Sequence, residues 1–301
     1  YPSQVDRTGL NKVKMSMQAM RGWAARYASC LGLLGAFGAS PPALAGDYDG
    51  SPQVAEFVGE MTRDYGFAGE QLMGVFREAQ RKQSILDAIS RPAERVKQWK
   101  EYRPMFLTDA RVARGVDFWR QHEAVLARAE QEYGVPAQVI VSSIGVENFY
   151  GRNTGSYRVI DALSTLGFDY PPRAEFFRKE LREFLLLARE EQVDPLTLKG
   201  SYAGAMGLPQ FMPSSFRAYA VDFDGDGHIN IWSNPDDAIG SVASYFKRHG
   251  WVGGEPVVIR ADVTGDRADE GLPQGIEPVK TVGELRALGW SSHDALRDDM
   301  P

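Results

Sequence analysis

One acid set among apolar residues is the first place in this chain where chemistry is expected. Glu147 ends the run Val139-Ile-Val-Ser-Ser-Ile-Gly-Val. Pro136 suits the first turn of a helix, because its φ is already helical and its missing N–H would have no partner there, so a helix is expected from near Val135. On a 3.6-residue period Glu147 shares a side with Ile140, Ser143 and Ile144, the side a globular helix turns inward. The spacing therefore predicts a largely desolvated carboxyl. Burial penalises the ion more than the acid, which raises the pKa toward the range where a general acid works at neutral pH. The alternative is a structural Glu held by an Arg or by backbone amides. Asn148, Phe149, Tyr150 and Gly151 then read as a helix end lining a cleft.

Two further stretches carry chemical potential. Between Gly200 and Phe216 small residues alternate with Met206 and Gln210, and Pro209 and Pro213 interrupt them. Glycines let backbone approach a ligand, and a glutamine offers both donor and acceptor to a hydroxyl or amide. A tight helix–turn–helix packing element is the competing reading. Asp222, Asp224 and Asp226, followed by Gly227, His228 and Asn230, match the first half of a calcium loop, in which His228 supplies a backbone carbonyl. Ser233 stands where the bidentate Glu belongs, so Asp236 and Asp237 remain rival last ligands. An Asp- and Gly-rich turn without metal is the competing reading here.

These residues need a scaffold, and the pattern around them is helical. Val54, Phe57, Val58 and Met61 recur at helical spacing, as do Leu72, Val75, Phe76 and Ala79. Helices are expected near 52–64, 69–80, 92–103, 109–132, 173–192 and 236–248, with Pro92 and Pro104 as punctuation. Trp99, Tyr102, Phe106, Phe118 and Trp119 form either core or a ligand-facing surface. Beyond Trp251 the composition shifts: Val257–Arg260 reads as a short strand, and Thr281 with Glu284 as a capping box opening another helix. The expected class is mainly α (α+β), with an N-terminal helical domain over 46–110, a core over 111–251 containing the loop 222–237, and a small β-containing region over 252–301.

Composition removes several function classes. A formal net charge of −6 argues against general affinity for nucleic acid or anionic lipid, both of which need a basic face. Cys30 is the only cysteine, which precludes an internal disulfide framework, and the four histidines are scattered, which gives a His-based metal site little support. Arg21 and Arg26 precede a small and apolar run over 28–39, and Ala43-Leu-Ala45 resembles a cleavage site, so residues 1–45 read as upstream sequence and a signal peptide. The run is too short for a stable membrane span, which needs about 20 residues. A buried core helix is the alternative. The expected location is the periplasm.

The match of Gly145-Val-Glu147 with its following aromatics, of 158–166, of 199–207 with 210–215, and of 221–230 before 237–243 makes the chain resemble the lytic transglycosylase B family, a branch of the lysozyme-like superfamily. That resemblance implies a lysozyme-like helical core and cleavage of peptidoglycan glycan strands to 1,6-anhydromuramoyl products. It implies that Glu147 is the sole catalytic acid/base, and that Tyr102, Ser201, Met206, Gln210 and Tyr245 line the glycan groove. It also implies a structural Ca2+ whose last ligand precedes Ala238-Ile-Gly. A hydrolytic muramidase, a non-catalytic peptidoglycan-binding protein and a calcium-sensing module are the rival functions. The stop at Pro301, short of the aromatic segment by which family members return to the groove, reads as truncation or divergence.

Overall fold

Helices dominate because the apolar residues recur every three to four positions and prolines sit at the helix starts. The computed structural model describes residues 46–91, 98–272 and 278–300. Residues 1–45, with the expected signal peptide, and the start of the expected 92–103 helix lie outside them. The described residues all belong to one compact unit.

Helix α1 (Pro52–Tyr65) buries Val54, Phe57, Val58 and Met61 and closes on left-handed Gly66. Helices α2 (Gly69–Glu78) and α3 (Gln83–Ile89) follow. A single turn, α4 (Trp99–Tyr102), runs into a 3₁₀ turn at Pro104. The single helix expected over 109–132 is two: α5 (Asp109–Gln121), capped by the Thr108 hydroxyl, and α6 (Glu123–Tyr133). The break is at His122, whose ring packs on Phe118 at 4.6 Å. It lets α5 pack on α7 (Ala137–Asn148) while α6 packs on both α7 and α11 (Pro235–Arg248).

Helix α8 (Val159–Asp169) was invisible to periodicity, because every residue from Val159 to Gly167, Asp161, Ser164 and Thr165 included, is buried and no side of that stretch faces solvent. It packs along α9 (Ala174–Glu190), and α10 (Pro213–Tyr219) rests on α9 in turn. Two antiparallel ribbons complete the frame: β1 (Tyr157–Arg158) with β2 (Lys199–Gly200), and β3 (Asp262–Val263) with β4 (Trp290–Ser291). The strand expected at Val257–Arg260 does not form; pairing begins at Asp262, and Val257 and Val258 are exposed. The capping box at Thr281 and Glu284 opens α12 (Val282–Ala287) as expected.

Two apolar clusters carry this framework. One joins α1, α2 and α3 to α8 and α9 and includes Met206, Phe211 and Phe216. The other gathers Phe118, Leu126, Ile140, Ile144, Leu208, Ile239 and Val242 from α5, α6, α7 and α11. The helix that carries Glu147 is thus embedded in the second cluster. No described helix is long and apolar enough to cross a membrane.

Candidate active site

Helix α7 buries Ile140, Val141 and Ile144 and so fixes the direction in which its last turn points. That turn carries Ser143 and Glu147 to a cavity of about 320 Å³, closed by Pro209, Gln210, Phe211 and Met212, by Ser215 of α10, and by Val242, Tyr245 and Phe246 of α11. Glu147 was expected to be enclosed. It is instead exposed at the cavity rim, because α7 ends one residue later and the chain turns away. The protein packed around the carboxyl still raises its pKa, and desolvation is the cause. No hydrogen bond or ion pair holds the Glu147 carboxyl among the described residues, so neither an Arg nor a backbone amide makes it structural.

The turn after Glu147 is strained and firmly held. Phe149 and Tyr150 both have φ in the left-handed region, at 58° and 55°. Asn148, 1% exposed, donates its amide to the Leu208 carbonyl and accepts the Gly151 N–H at 2.6 Å. The Tyr150 phenol wedges against α5 and α7 where Gly115 and Gly145 leave room; a Cβ on Gly145 would lie 2.3 Å from its oxygen. Asn148 and Tyr150 therefore lock the helix end and do not line the cavity, contrary to the cleft-lining role expected of them. The Arg111 guanidinium lies over both Phe106 (5.1 Å) and Phe149 (5.0 Å), tying this turn to the segment of Tyr102, whose ring is 4.9 Å from Phe106.

The other groove residues named from sequence are placed as follows. Gln210 and Tyr245 line the cavity with Glu147. Gln210, at φ 51°, donates its amide to the Thr154 carbonyl (3.2 Å) and the Gly207 carbonyl (2.8 Å). Ser201 accepts the N–H groups of Ala203 and Ala205 and does not line this cavity. Met206 is wholly buried in the core, with its backbone paired to Gly200 and Phe211, so its side chain does not face the cavity either. Ser143, Ser215 and Phe246 line the cavity without having been singled out; the helical spacing of Ser143 from Glu147 was the available signal.

Asp161 and Glu175 both lie outside the Glu147 cavity. Asp161 is buried in a bidentate pair with Arg158 (2.8 and 2.9 Å) and accepts the Gln80 N–H. Glu175 lies in a larger groove of about 820 Å³ between α1 and α9, whose lining mixes Glu56 and Glu60 with Arg178, Lys179 and Arg182. Size alone would favour that groove, but opposite charges side by side are the makeup of a solvated surface, and it holds no lone acid.

A second acidic site sits before α11. Carboxylate oxygens of Asp222, Asp224 and Asp237 lie within 4.8 Å of one another. Asp237 is fully buried and accepts the N–H groups of Phe223 and Asn230, both at 2.7 Å; desolvation nonetheless pushes its carboxyl up. Of the rival acids, Asp237 joins the cluster and Asp236 does not. The Gly227 N–H, with those of Gly225 and Asp226, pulls the Asp222 carboxyl down. Asp226 accepts the His228 N–H and stays outside the cluster. Three carboxylates in this space suit a hard cation with oxygen ligands.

A family model for the transglycosylase SLT domain matches residues 49–300. The chain belongs to that family. It is 47% identical over 262 residues to the membrane-bound lytic murein transglycosylase B of Escherichia coli, covering 84% of this chain and 71% of that protein. Its fold superposes on the catenated lytic transglycosylase SltB1 of Pseudomonas aeruginosa with a TM-score of 0.81 and 79% identity, over 84% of this chain and 83% of that one. The Escherichia coli lytic transglycosylase Slt35 in complex with calcium matches at 48% identity and a TM-score of 0.76, over 84% and 79%. The protein is therefore a lytic transglycosylase with a lysozyme-like, mainly α fold.

Proposed function

We propose that this lytic transglycosylase cuts the β-1,4 bond between N-acetylmuramic acid and N-acetylglucosamine in peptidoglycan, with Glu147 as its acid and base. The observation that carries this reading is the cavity of Glu147, where it is the only carboxyl group among the described lining residues. Glu147 gives its proton to the glycosidic oxygen as the bond to the anomeric carbon breaks. The carboxylate then takes the proton of the muramoyl 6-hydroxyl, whose oxygen bonds to the anomeric carbon, and no water is consumed. One acid suffices, because a well-placed intramolecular hydroxyl replaces the nucleophile that a second carboxylate supplies or activates in other glycosidases. The raised pKa of Glu147 suits the donor step, and its freedom from partners suits the return step. Tyr245 and Gln210 hold the glycan here, and Tyr102, Ser201 and Met206 act further along the groove or through its walls. Digestion of purified sacculi followed by mass spectrometry tests this: each cut yields an anhydro end, and reducing ends in their place establish a muramidase.

The Asp222 loop binds Ca2+ in a structural role in this reading, with Asp222, Asp224 and Asp237 as clustered carboxylate ligands and with Asp226 and the His228 carbonyl among the further oxygen donors. The clustering of the three carboxylates supports it. The signal peptide within residues 1–45 directs export to the periplasm, and the regions 46–110, 111–251 and 252–301 follow it. N-terminal sequencing of periplasmic protein checks the cleavage after Ala45.

A further inference from the structure

Three of the five side chains in the Glu147 cavity that can donate a hydrogen bond are already committed. The Ser143 hydroxyl donates to the Val139 carbonyl at 2.9 Å. Both amide hydrogens of Gln210 go to backbone carbonyls. The proton of Glu147 is reserved for the leaving oxygen. That leaves two hydroxyls with no partner among the described residues: Tyr245, whose ring packs against Phe211, Tyr219 and His249, and Ser215.

Ser215 is held in place from beneath. Its neighbour Ser214 donates both its N–H (2.9 Å) and its hydroxyl (2.8 Å) to Glu180 of α9, a carboxylate 2% exposed that serves as the N-terminal cap of α10. This accounts for a buried acid without a cation and gives α10 a fixed seat. A short side chain on a fixed helix offers its hydroxyl only at the few positions its χ1 rotamers allow. The cavity walls beside it, Phe211, Met212, Val242 and Phe246, are apolar. A free donor beside an apolar wall matches an acetamido group, which has a carbonyl that accepts and a methyl that seeks cover.

We infer that Ser215 donates a hydrogen bond to the acetamido carbonyl of the N-acetyl sugar in this cavity, making it a specificity-determining residue. The inference rests on the glycan reading of the site. The test is calorimetric binding of a tetramer of N-acetylglucosamine, and of its de-N-acetylated counterpart, to the Glu147→Gln protein with and without Ser215→Ala. One neutral hydrogen bond corresponds to a loss of roughly threefold to tenfold, expected for the acetylated ligand only. Ser215→Thr restores binding, and the melting temperature stays put. Equal weakening of both ligands by Ser215→Ala, or none, overturns the assignment. Hydrolytic products from the unmodified enzyme would defeat the anhydro-forming reaction and leave this binding result standing, so the two failures are distinguishable.

Discussion

The Glu147 cavity and the Asp222 loop use the same functional group toward opposite ends. Glu147 stands alone, has no donor to its carboxyl, and is pushed toward the protonated form by desolvation. Asp222 accepts three backbone N–H groups and is held toward the ionised form, chiefly by Gly227. Desolvation without donors prepares a proton carrier, and backbone donors prepare a permanent anion. Asp237 combines both conditions: burial raises it while the amides of Asn230 and Phe223 resist. The environment alone separates a carboxyl held toward its protonated form from one held toward its ionised form.

The contrast breaks most sharply at Glu147. Glu147→Gln keeps the shape and removes the proton, so release of anhydro-muropeptides should fall by about 10²–10⁴-fold, the usual reach of general acid–base catalysis. Retention of more than about a tenth of the wild-type rate would move the chemistry to another group. At the loop, calcium at about 100 times its dissociation constant should stabilise the protein by about 2.7 kcal/mol, read as a rise in melting temperature. Asp237→Asn should lose most of that rise and Asp236→Asn should keep it; the reverse result would exchange their roles.

Gly145→Ala sharpens the comparison by acting on one side only. The added methyl meets the Tyr150 phenol, and overpacking of this kind costs about 1–3 kcal/mol in urea denaturation. The calcium response should remain intact. The smallest effect is a pH dependence. Because the folded pKa of Glu147 is raised, the folded state keeps the proton to higher pH than the unfolded chain. Ionisation therefore destabilises the fold above the folded pKa, and the penalty vanishes below the unfolded value of about 4.3. Glu147→Gln should be more stable than wild type at neutral pH, and the difference should disappear in acid. A constant difference across the range would mean that the carboxyl is not desolvated.

Much of this was legible in the chain because it is local. Helix α1 follows from the spacing of four apolar residues, the α12 cap from Thr281 and Glu284, and the acidic loop from alternating Asp and Gly within nine positions. Helix α8 was not legible, because it is buried on all sides from Val159 to Gly167 and its polar residues do not mark an outward face.

Sequence by itself determined that a lone acid ends an apolar helix and that an acidic loop precedes α11, since both depend on neighbours a few residues away. The tertiary structure decided the rest. Glu147 stands at the cavity rim because Asn148 reaches the carbonyl of Leu208, 60 residues on, and carries the chain off at that point. Asp237 supersedes Asp236 because packing of α11 turns one face inward, where the amides of Phe223 and Asn230 meet it. Ser215 lines the Glu147 cavity on α10, which Glu180 of a third helix anchors through Ser214. Desolvation and long-range hydrogen bonds depend on which elements meet, and helical spacing within one segment does not encode that meeting.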